Sequence, residues 1–101
     1  MREDNRRSSE EEPLKDLIDK FLKAYSLEGK MKEYDIIAAW PELMGPAVAH
    51  RTSEIHIKNQ TLYLKIDSSV MREELLNGKQ IIIERVNKEA GTQLINDIWF
   101  S

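Results

Sequence analysis

Between Glu54 and Asp67 apolar and polar residues alternate with a period of two. The pattern predicts two strands, Glu54–Lys58 and Thr61–Asp67, joined by a tight turn at Asn59-Gln60. Ile55, Ile57, Leu62, Leu64 and Ile66 share one face, while His56, Lys58, Tyr63, Lys65 and Asp67 share the other. Upstream, the period changes to that of a helix. Leu14, Leu17, Ile18, Phe21, Leu22 and Tyr25 form one apolar stripe on a helix from about residue 13 to 26, opened by Pro13 and ended near Ser26 with Gly29 permitting the turn. A second helix follows from about Met31, with Tyr34, Ile37, Trp40 and Met44 on one side. Pro41 predicts a kink or restart there, and a short turn from Pro46 to His50 is expected after Gly45. The helices flanking the hairpin are expected to cover its aliphatic face.

Downstream, Ser68-Ser69 offers an N-cap for a short helix from Val70 to Leu76, and Asn77-Gly78 then breaks the chain. A helix from Lys79 to Ala90 turns Ile82, Ile83, Val86 and Ala90 inward, with Gly91 as its stop. Thr92 to Ser101 reads as a third strand, with Leu94, Ile98 and Phe100 on one face and Ile95, Asp97 and Trp99 on the other. Residues 1–12 are polar throughout and predict a disordered tail, leaving 13–101 as a single small α+β domain. Its three-stranded sheet is expected to carry helices on one face.

Composition narrows the chemistry. The chain has 101 residues, room for one core, and no cysteine, so neither disulfides nor thiolate metal sites arise. No apolar run suits a signal peptide or a membrane span, and the expected location is the cytoplasm. Two histidines, His50 and His56, fall on different elements without a ligand pattern, so no metal or other cofactor is expected. There is no Gly-rich phosphate loop, no nucleophile elbow and no recognisable carboxylate pair, which argues against an enzyme. The net charge is −3, and no third of the chain is basic overall. That balance disfavours tight non-specific binding to nucleic acid.

What remains is a binding surface. If the aliphatic side of the hairpin is inward, His56, Lys58, Tyr63 and Lys65 face outward, and the third strand adds Ile95 and Trp99. Aromatic rings among lysines suit base stacking. The same makeup suits a partner-protein or self-association patch, or simple cover by the tail or first helix. Trp40, in an apolar stripe, reads as core rather than as a stacking platform.

The order helix, strand, strand, helix, helix, strand resembles the type II K-homology fold, in which a G-x-x-G loop between paired helices clamps nucleic acid. The corresponding Asn77-Gly78-Lys79-Gln80 has one of the two glycines. The residue pattern resembles the DciA family over about residues 14–100. It is carried by Trp40, Gly45, Ala49-His50, Thr52, Ile57, Leu62, Ile66, Ser68-Ser69, Glu74-Leu75, Asn87 and Ile98-Trp99-Phe100. The resemblance implies a non-catalytic accessory of bacterial DNA replication that binds the replicative helicase and single- or double-stranded DNA. The chain departs from many such members in lacking a basic surplus and an extended tail after the domain. Candidate nucleic-acid-binding residues are Lys58, Tyr63, Lys65, Arg72, Lys79 and Trp99.

Overall fold

The computed structural model describes the backbone of residues 2–101 and the side chains from Glu12 onward. The elements run α1 (Arg2–Met44), α2 (Pro46–Arg51), β1 (Thr52–Lys58), β2 (Thr61–Ile66), α3 (Ser69–Asn77), α4 (Lys79–Ala90) and β3 (Asp97–Phe100), an α+β architecture. Residues 1–11, where the polar tail is expected, lie outside the described side chains. The chain divides into two compact units, Met1–Lys30 and Met31–Ser101.

In the first unit the apolar stripe lies along one helix, as its spacing predicts. Leu14, Leu17, Ile18, Phe21, Leu22 and Tyr25 are between 49% and 68% exposed. The helix does not stop near Ser26, because α1 continues through Gly29 and Pro41 to Met44. A glycine inside a helix costs only about 1 kcal/mol, and its neighbours Glu28, Lys30, Met31 and Lys32 are good helix formers. Pro41 lies in the last turn, so the single intrahelical bond it forfeits is lost close to where the ladder ends anyway. Gly45, at φ 88°, separates α1 from α2 in a conformation that side-chain-bearing residues rarely adopt.

The second unit holds the core. Leu62, Leu64 and Ile66 of β2, Ile98 of β3, Leu75 of α3 and Ile82, Ile83 and Val86 of α4 are buried together. From α1 it is Ile36 and Trp40 that enter this core, with Leu43 and Met44 partly buried against it. Tyr34, expected on the inner side, is exposed, so the inward stripe of this segment runs through Ile36 instead. These two α1 side chains and the inner face of α4 already fill the space over the aliphatic sheet face. Trp40 is core, as its setting suggests, and its indole Nε1–H donates to Thr52 Oγ1 at 3.0 Å. That hydroxyl in turn donates to the Val48 carbonyl at 2.8 Å.

The sheet order is β1-β2-β3, with β1 antiparallel and β3 parallel to the central β2. Asn59 and Gln60 both take positive φ, 51° and 60°, which is the type I′ turn that suits a two-residue hairpin. The register shifts between Thr52 and Glu54, a bulge at Ser53, whose hydroxyl donates to the Lys65 carbonyl. Ser68 Oγ caps α3 by accepting from the Met71 N–H at 3.3 Å. Gly91, at φ 72°, closes α4 in the left-handed conformation. The third strand is shorter than its sequence suggests. Asn87 donates to the Ile95 carbonyl and accepts from its N–H, at 2.9 and 3.0 Å, and so pins that residue beneath α4. Ile95 is fully buried rather than outward, and pairing with β2 begins only at Asp97.

Candidate functional site

Register fixes what the outer sheet face carries. His56 pairs with Tyr63, and Tyr63 with Trp99, so three rings cross the sheet in one row. His56 and Tyr63 are stacked, with centroids 4.7 Å apart and planes 8° from parallel. Tyr63 is thus half-buried beneath its neighbour, whereas Trp99 is 62% exposed. Lys58 and Lys65 stand on the same face by the alternation of their strands, both exposed. Acidic residues accompany them: Glu54 lies opposite Lys65, and Asp97 follows Thr61, the partner of Lys58. The face is therefore mixed in charge, with Trp99 as its most accessible ring.

Arg72 and Lys79 belong to a neighbouring concavity. A cavity of about 350 Å³ between α3, the start of α4 and β3 is lined by Arg72, Glu73, Leu76, Lys79 and Trp99 among others. Trp99 is shared by both features. It brings the two helix cations beside the outer face, while Lys58 and Lys65 remain outside the cavity. Neither cation is unengaged. Arg72 Nη2 donates to the Ile66 carbonyl at 2.8 Å, and its Nε is buried with no hydrogen-bond partner. Lys79 pairs with Asp97. The hydrogen bond from the Lys79 ammonium, joined by that from the Ile98 N–H, holds the Asp97 carboxyl below the usual carboxylate range. The cavity had no signal in the sequence, because its walls come from two distant stretches, residues 69–79 and 98–100.

Among the described residues, no group of three or more His, Cys, Asp or Glu side chains is placed to hold a metal ion. No described helix is long and apolar enough to cross a membrane. Chemically, the arrangement offers ring faces, cations and a groove, which are tools for binding.

The matched family is described as Dna[CI] antecedent, DciA, and the match spans residues 13–100. The chain belongs to the DciA family. No curated protein matches the sequence at a significant level. The matched span begins at Pro13 in α1 and ends at Phe100, the last residue of β3, so it takes in the DciA pattern residues from Trp40 to Phe100.

Proposed function

We propose that this DciA-family chain is a non-catalytic accessory of bacterial DNA replication that docks on the replicative helicase and assists its placement on DNA. The observation that carries the reading is the family match over residues 13–100. A role of this kind works by binding and needs no reacting group, and it belongs in the cytoplasm.

Contact with single-stranded nucleic acid is assigned to the surface around Trp99. Lys58, Tyr63 and Lys65 supply the sheet side of that surface, and Arg72 and Lys79 the helical side. An exposed indole offers a stacking face to any base, and cations on either side of it suit a phosphate backbone. The net charge of −3 makes this contact weak, so helicase docking supplies most of the affinity for a helicase–DNA assembly.

Titration of the full chain against the cognate hexameric helicase tests the reading, with mass photometry as the readout. A complex at micromolar concentration is expected, and its absence overturns the accessory role. Amide chemical shifts on adding helicase and single-stranded DNA separately distinguish the leading reading from a freestanding nucleic-acid module. Shifts with DNA, centred on Trp99, together with none on adding helicase would favour the latter. A self-associating interaction domain is the remaining alternative, and the exposed surface of α1 bears on it.

A further inference from the structure

Leu14, Ile18, Phe21 and Tyr25 follow one another at spacings of four, three and four, which read the same from either end of the helix. Leu17 and Leu22 flank them symmetrically. A two-fold antiparallel pair requires this kind of self-complementary surface, in which residue i meets j and j meets i. Reversing the helix sets Leu14 against Tyr25, Leu17 against Leu22 and Ile18 against Phe21. Charge is distributed to match. Glu12, Asp16 and Asp19 make the earlier half largely acidic, and Lys20, Lys23 and Lys30 make the later half largely basic, with Lys15 and Glu28 as exceptions. Antiparallel pairing lays each acidic half along its partner's basic half, whereas parallel pairing sets like beside like.

All six apolar side chains are about half to two-thirds exposed. Covering most of that strip in two copies removes on the order of 1,200 Å² of surface, the lower end of a specific interface. From this we infer that the stripe on α1 is a homodimer interface, and that two copies of the chain pair through residues 14–25 as antiparallel helices.

Sedimentation of the full chain from about 1 to about 100 µM tests the proposal, a range that reads micromolar dissociation constants. A monomer–dimer equilibrium is expected. Phe21→Glu should weaken it by at least about 100-fold, the effect of burying a charge at an interface centre. Urea unfolding followed at the buried Trp40 should be unchanged in that variant, which separates lost pairing from lost folding. The chain has no cysteine, so engineered ones report orientation. Under mild oxidation, a mixture of Leu14→Cys and Tyr25→Cys chains should cross-link between unlike chains, and Leu14→Cys alone should not. A wild-type chain that stays monomeric over the whole range overturns the proposal. So does a monomer whose urea midpoint falls with Phe21→Glu, because the stripe would then be covering its own chain. A monomer that binds helicase only with the stripe intact overturns it as well, and cross-linking by Leu14→Cys alone rules out the antiparallel arrangement.

Discussion

Thr52 carries more of this fold than its small size suggests. Its hydroxyl accepts a hydrogen bond from the Trp40 indole and donates one to the Val48 carbonyl, so one side chain satisfies the polar edge of a core tryptophan and ties α2 to β1. Thr52→Val keeps the shape and leaves a buried indole N–H without its acceptor. We expect a loss of about 1–3 kcal/mol in urea-measured stability, against little change for Ser53→Ala at the more exposed neighbouring hydroxyl. Asp97 makes a pH-dependent contribution of definite sign. Its carboxyl is held below the ordinary range by Lys79 and the Ile98 N–H, so the folded state favours the charged form. The contribution is complete above the ordinary carboxylate value and disappears as pH falls through the lowered one. Urea midpoints of wild type and Asp97→Asn should therefore differ at pH about 6, start to approach one another only below about pH 4, and converge below the lowered value. The two tryptophans show how far single residues are legible in sequence. Trp40 stands in an apolar helical stripe and is core, whereas Trp99 alternates with Ile98 and Phe100 and faces out. Tyr63 stands on the expected face, but its stacking against His56 depends on the register of two strands.

Elements with local signals are the ones the sequence predicts most closely. The hairpin has its period of two and a two-residue turn, α3 has its serine cap, and α4 runs from Lys79 to the left-handed Gly91 as expected. Each of these is decided within a dozen residues. Where the reading departs from the structure, distant contacts or small penalties decide. The third strand loses its first half because Asn87, on α4, hydrogen-bonds the backbone of Ile95. The cavity beside Trp99 exists only once α3, α4 and β3 are assembled. In α1, Gly29 and Pro41 look like stops, yet neither penalty exceeds what the surrounding helix formers and the core contacts of Ile36 and Trp40 supply. An added Cβ at Gly29 meets nothing within 4 Å. Gly29→Ala should then stabilise α1 by about 1 kcal/mol and raise far-ultraviolet helical ellipticity, with no shift in the unfolding midpoint of the core.

At the scale of the molecule, charge and sheet order matter most. A net charge of −3 with cations gathered near one ring predicts weak, salt-sensitive contact with single-stranded DNA. Fluorescence anisotropy of a labelled oligonucleotide should give a log–log salt slope of about −1 to −3, a few phosphates at about −0.7 each. Lys65→Glu should lower the affinity and flatten that slope, while Trp99→Ala should lower it with the slope kept. The parallel pairing of β3 with the central β2 has a kinetic consequence. β1 and β2 close a two-residue turn and can zip together within microseconds, whereas β3 arrives only after the crossover from Asp67 to Asn96 has been laid down. During that interval β2 has one bare flank, and Leu62, Leu64 and Ile66 lack the cover that α3 and α4 bring. A nascent or refolding chain is most prone to aggregate at that stage, and the time α3 and α4 need to dock sets how long the exposure lasts.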